Sequence, residues 1–155
     1  MSFMQVSRKV DYALRAVIHL AGDAQRERSC TVAEIAERER IPKQFLEKII
    51  RDLIRTSLVK SRRGPHGGYV LARPAEEVTF RNVIEAVEGP ISLNGCVGEH
   101  AECFLMGACG MNRVWAEGQR RVMDLFQSTT IASVRHPSRP LEGHGAPEYS
   151  TQGGV

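Results

Sequence analysis

Apolar positions first recur at helical spacing over residues 10–21. Val10, Leu14, Val17, Ile18 and Ala21 form one stripe and predict an amphipathic helix. Ser7 is placed to cap its start, and Gly22 and Asp23 to end it. After a polar connection, Thr31 and Glu34 have capping-box spacing, in which the hydroxyl and the carboxylate each satisfy an orphan backbone amide. They open a short helix reaching about residue 39, with Ile35 and Ala36 inward. Arg40 and Ile41 make a turn. Pro42 suits the first turn of the next helix, where its missing amide proton is not needed. That helix extends to about residue 56 and buries Phe45, Leu46, Ile49, Ile50 and Leu53, while Lys43, Gln44, Glu47, Lys48, Arg51 and Arg55 lie largely off the stripe.

The period then changes from helix to strand. Residues 58–63 and 69–73 read as two strands joined by a glycine-rich turn over 64–68, and Pro74 stops the second. Thr79 caps a further short helix over 80–88 with Phe80, Ile84 and Val87 on one face, and Gly89-Pro90 ends it. A long helix over 113–127 carries Val114, Trp115, Gly118, Val122, Leu125 and Phe126 at helical spacing, and residues 131–134 add one more turn. Its stripe is either core or the seam of a two-fold dimer. The tail beyond is rich in Pro, Gly and Ser and predicts disorder.

A short helix, a tight turn and a longer helix with a cationic face have the form of a helix-turn-helix, and equally of an ordinary helical hairpin. The β-hairpin decides between them. It carries Lys60, Arg62, Arg63 and His66, and a cationic hairpin directly after such a helix pair is a wing. Its glycines allow close approach to a phosphate backbone, and its cations gain from counterion release. No Gly-Lys-Ser/Thr follows them, so they are not a nucleotide-binding loop. The fold expected is mainly α with a small β-hairpin wing. A winged helix-turn-helix domain spans 1–89, a cysteine loop 90–112, a dimerisation helix 113–134 and a disordered tail 135–155.

Charge sharpens this picture. Residues 1–73 hold 15 Lys/Arg against 8 Asp/Glu, net +7, whereas residues 74–155 hold 6 against 10, net −4. A polyanionic partner therefore suits the first half only. A DNA reader with one small recognition helix usually needs a second half-site, which favours a homodimer. With no apolar run long enough to span a bilayer and no apolar leader, a cytoplasmic protein with no membrane partner is expected.

Three of the four cysteines, Cys96, Cys103 and Cys109, lie in one glycine-rich stretch, with six and then five residues between them. Three thiolates from one loop make a soft half-cage suited to iron–sulfur, zinc or copper(I). Cys30, isolated beside the helix cap, reads as a small structural residue. No nucleophile-and-base grouping joins His19, His66, His136 or His144 to the cysteines, so an enzyme is not expected.

The order DYALRAVIHLA, TVAEIAERERIPKQFLEKIIRDL, LVKSRRGPHGGYVLARP, TFRNVIEAVEG, three spaced cysteines and a long helix resembles the IscR/NsrR/CymR family of bacterial winged-helix regulators. The resemblance covers about residues 4–134. It implies a homodimer with crossing C-terminal helices, bound to a pseudo-palindromic operator in double-stranded DNA. Gln44, Glu47 and Lys48 match recognition-helix positions, and Arg63 matches a wing arginine in the minor groove; Lys43, Arg51 and His66 join them as candidate DNA contacts. Cluster-bearing members hold an iron–sulfur cluster through three loop cysteines and a fourth ligand, which implies Cys96, Cys103 and Cys109 here. The IscR-like fourth ligand is a His three residues after the last cysteine, where this chain has Asn112. The NsrR-like fourth ligand is an Asp early in the first helix of the partner subunit, and Asp11 matches it. This favours [4Fe-4S] over [2Fe-2S].

The function expected is a transcriptional regulator, a repressor, sensing nitric oxide, redox or iron–sulfur status. The alternative is a cluster-free regulator switched by thiol oxidation, zinc or a small ligand. His100 is a further candidate ligand, for a cluster or, like Asp11, for zinc. Asp11 can equally be a helix-N-terminal carboxylate stabilised by the dipole. Ser57 stands where the family usually has Gly.

Overall fold

The computed structural model describes residues 6–24, 27–99, 101–105 and 108–134. The tail assigned above to 135–155 and His100, His136 and His144 lie outside the described residues. Six helices and one hairpin follow in the order α1 (Arg8–Ala24), α2 (Val32–Glu39), α3 (Lys43–Arg55), β1 (Val59–Arg62), β2 (Gly68–Leu71), α4 (Phe80–Glu88), α5 (Gly110–Ser128) and α6 (Ile131–Val134). The architecture is a mainly helical winged helix-turn-helix with a two-stranded antiparallel wing. None of the described helices is long and apolar enough to cross a membrane.

Helix α1 starts where Ser7 Oγ accepts the Val10 amide at 3.2 Å, so the expected cap is present. It continues through Gly22 and Asp23 to Ala24. A single Gly costs only about 1 kcal/mol in a helix. Asp23 is drawn inward, where its carboxylate accepts from the buried Cys30 thiol. The core face is Val10, Ala13, Ala16, Val17, Leu20 and Ala21; Leu14 and Ile18 pack at its rim.

Thr31 and Glu34 form the expected capping box of α2. Arg40 then adopts the left-handed conformation at φ 52°, and the Ile41 amide reaches back to the Ala36 carbonyl at 2.9 Å. Pro42 lies one position outside α3, as its N-cap, and its carbonyl accepts the Leu46 amide at 3.0 Å. Leu46, Ile49, Ile50 and Leu53 are buried as the stripe requires. Phe45 is not: it is 41% exposed and meets the Tyr12 ring edge-on at 5.7 Å. A helical period marks a face, and Phe45 sits at its rim. α3 ends in a Schellman turn, with Ser57 at φ 57° and the Leu58 amide bonded to the Leu53 carbonyl at 2.9 Å.

In the wing, Val59 pairs with Leu71, Lys60 with Val70, Ser61 with Tyr69 and Arg62 with Gly68. Cys30 adds an isolated bridge to Tyr69 on the other edge, which anchors the wing to the α1–α2 connection. Thr79 caps α4 through a second box, with Asn82. Helix α5 starts at Gly110, three residues earlier than its apolar stripe indicates, and buries none of its residues within one chain. The chain then returns to the main body. The Ile131 amide donates to the Val78 carbonyl at 2.8 Å, and the Ile131 side chain is completely buried.

Candidate nucleic-acid interface and cysteine loop

The buried stripe of α3 fixes which of its side chains face outward. Lys43, Gln44, Lys48 and Arg51 are exposed and Glu47 is half-buried, all along one side of the helix. Among the described residues, no carboxylate pairs with Lys43, Lys48 or Arg51. The cations of α5 are arranged differently. Arg120 pairs with Glu117 at 2.8 Å and Asp124 at 2.9 Å, and Arg121 with Glu117 at 2.7 Å. Hydrogen bonds from Arg120 and then Arg121 hold the Glu117 carboxyl down to about 2. Arg120 and Arg121 are neutralised within their own helix, whereas the α3 face leaves positive charge available to phosphates.

The wing is held from below. Ser29 Oγ donates to the His66 carbonyl at the hairpin tip. Arg62 turns back and donates to the Glu27 carbonyl at 3.2 Å. Arg63 and His66 remain exposed, and no described carboxylate pairs with Arg63. Gly68 backs directly onto Cys30: a Cβ there would stand 2.6 Å from the Cys30 carbonyl oxygen. At Gly68 the close approach is thus between the base of the wing and the protein body.

Beyond α4, the cysteine loop is fastened to α5 by two amide side chains. Gln119 accepts the Leu93 amide at 2.9 Å and donates to the Ile91 carbonyl at 2.7 Å. Asn112 Nδ2 donates to the Cys96 carbonyl at 3.2 Å. The residue that replaces the IscR-like histidine therefore holds the backbone of the first loop cysteine. Cys96, Cys103 and Cys109 are half-buried free thiols, and Cys109 occupies the N-cap position of α5.

The three loop sulfurs are not gathered within the spacing of a mononuclear metal site; among the described residues, only His19, Asp23 and Cys30 are so gathered. Three thiol donors from one loop are the soft donor set that iron–sulfur clusters and zinc both use. Asp11 is exposed in the first turn of α1 and pairs with Arg15 at 3.2 Å. The loop and α5 expose apolar side chains: Phe104 is 95% exposed and Val114 71% exposed. Sequence reading did not anticipate the roles of Gln119, Asn112 or Ser29. Each acts through bonds to backbone atoms distant in the chain, which no local spacing announces.

Fold and charged face together define a winged-helix DNA-binding protein. Residues 6–137 match the family described as Rrf2, iron-dependent transcriptional regulator. The chain belongs to the Rrf2 family of transcriptional regulators, which are not enzymes. It is 32% identical over 142 residues to an HTH-type transcriptional regulator of Rhodobacter capsulatus described as rrf2-like, covering 87% of this chain and 95% of that one. It is similar in structure to CymR, the global cysteine regulator of B. subtilis, with a TM-score of 0.74 and 28% identity, covering 86% of this chain and 97% of that one. It is also similar to T. potens IscR, with a TM-score of 0.67 and 28% identity, covering 84% and 85% of the two chains.

Proposed function

We propose that this Rrf2 regulator is a cytoplasmic homodimeric repressor of the NsrR-like kind, controlled by an iron–sulfur cluster. Cys96, Cys103 and Cys109 of one subunit and Asp11 of the other hold the cluster, with [4Fe-4S] favoured. The observation that carries this reading is a loop of three free thiols fastened to α5 by Asn112 in its first turn and Gln119 at mid-helix. Bound there, a cluster supplies a redox- and nitric-oxide-sensitive group.

The chain's own residues do the rest. Met111, Val114 and Leu125 present an uncovered apolar strip on α5, which supports pairing with a second copy. A carboxylate from Asp11 is a weaker ligand than a fourth thiolate and leaves one iron open to attack. Loss of the bond to Asp11 releases the start of α1, which packs directly on α3. In the dimer, Lys43, Gln44, Glu47, Lys48 and Arg51 of each α3 face a major groove, and Arg63 and His66 of each wing face the backbone or minor groove.

Anaerobic purification, iron analysis and visible absorption test the reading. A brown dimer with about four irons per chain is expected. Asp11→Ala should stay folded and lose its cluster faster. Unchanged retention in that variant would remove Asp11 from the ligand set. A colourless dimer from iron-replete cells would overturn the cluster and leave the thiol- or zinc-switched regulator.

A further inference from the structure

A second group of donor atoms lies in the interior, away from the loop cysteines. His19 and Asp23 are one helical turn apart on α1 and face the same way. Cys30, from the connection between α1 and α2, meets them there. The ligand atoms of the three residues lie within 4.8 Å of one another. Cys30 is completely buried and Asp23 only 3% exposed. We propose that His19, Asp23 and Cys30 form a zinc site that fastens the wing base to α1.

The arrangement of His19 points to a cation. Its Nδ1 lies 2.8 Å from Glu39 Oε1, the carboxylate–histidine relation that orients a metal-binding imidazole. Its Nε2 is buried, makes no hydrogen bond to any described residue and lies 3.4 Å from Asp23 Oδ2. With Nδ1–H donated to Glu39, the Nε2 lone pair faces an anionic oxygen. A metal ion placed between the two atoms would make that contact favourable. Cys30 Sγ, 2.6 Å from the same oxygen, adds a soft donor. One imidazole, one thiolate and one carboxylate suit zinc, with water or the second carboxylate oxygen as the fourth ligand. Binding expels the thiol proton to solvent.

The placement gives the site its consequence. The Cys30 amide donates to the Tyr69 carbonyl at 3.1 Å, and the Tyr69 amide to the Cys30 carbonyl at 2.7 Å. Neighbouring Ser29 holds the hairpin tip through the His66 carbonyl. A metal at Cys30 therefore fixes the residue from which the wing is hung. The competing occupant of the gap is a proton on His19.

The test uses the full chain with Cys96→Ser, Cys103→Ser and Cys109→Ser, which leaves Cys30 as the sole thiol. Cobalt(II) is titrated in, followed by zinc. One cobalt per chain is expected, with cobalt–thiolate charge-transfer absorption that one equivalent of zinc abolishes. Glu39→Gln removes no ligand and should weaken binding about 10- to 100-fold. Adding Cys30→Ser should abolish the absorption. A chain with native far-ultraviolet circular dichroism and no cobalt–thiolate absorption would overturn the site and leave the protonated network. So would equal zinc affinity with and without Cys30.

Discussion

Asn112 Nδ2 donates to the carbonyl of Cys96 at 3.2 Å, tying the first loop cysteine to the first turn of α5. The bond spans 16 residues and closes the loop that carries Cys103 and Cys109. Asn112→Ala removes it without touching a thiol. A lost side-chain hydrogen bond of this half-buried kind costs about 1 kcal/mol. If the loop holds the proposed cluster, that cluster should decay several-fold faster in air in this variant, followed by visible absorption, while operator affinity of freshly prepared holoprotein stays near wild type. Equal decay rates would show that the loop keeps its shape without Asn112.

Arg63 and Arg62 are neighbours on the wing with different duties. Arg62 is committed to the Glu27 carbonyl, and Arg63 is exposed. Arg63→Ala should weaken binding to a duplex selected from a random pool by about 10-fold and reduce the salt slope by about 1. Thermal unfolding should barely change. Affinity and salt slope both equal to wild type would take Arg63 out of the interface.

Ser57 adopts φ 57° in the turn that ends α3, a conformation in which a Cβ is unfavourable and glycine is not. Ser57→Gly should therefore raise stability by about 0.5–1 kcal/mol, partly offset by the greater freedom of glycine when unfolded. Urea unfolding of the apo chain measures this. A loss of stability would mean that Ser57 contributes a contact worth more than its backbone strain.

The parts of the fold legible in the sequence are those fixed by short-range rules. Thr31 with Glu34, the stripe from Leu46 to Leu53 and the glycine-rich hairpin each state their structure within a few residues. The Phe45 misreading shows the limit of periodicity, which gives a direction and not the edge of the covered area. α5 shows a related limit. Its stripe reads as core or seam, and within one chain it is only partly covered: Phe126 lies 6.1 Å from the Phe80 ring and no α5 residue is fully buried. Asp23 beside Gly22 read as a helix end because its partner Cys30 comes from beyond the next turn. The further turn expected over residues 131–134 is present, but its anchorage, the Ile131 amide on the Val78 carbonyl more than fifty residues earlier, is not visible in the sequence. Long-range pairing of this kind leaves no periodic trace. Of the candidate site, the charged face of α3 and the three-cysteine loop were visible as composition. The supports beneath them, Ser29, Asn112 and Gln119, were not.

Cys30 provides a pH test. In the metal-free protein, burial, and then the hydrogen bond and negative charge of Asp23, push its thiol up to about 12 from an ordinary value of 9.0. The folded chain thus keeps this proton over a range in which the unfolded chain releases it. The unfolded state then binds fewer protons, so stability falls as pH rises. The contribution is complete below about pH 9 and is lost progressively toward about pH 12. Cys30→Ala removes this component, and the variant's stability should fall less steeply with pH over the same window than that of the parent triple-serine chain. The same shift makes Cys30 inert at neutral pH, because the thiolate is the nucleophile. Alkylation of metal-free wild type at pH 8 should modify Cys96, Cys103 and Cys109 and reach Cys30 only after denaturant is added. Rapid native labelling of Cys30, mapped by peptide mass spectrometry, would show that the interior around Asp23 opens without global unfolding.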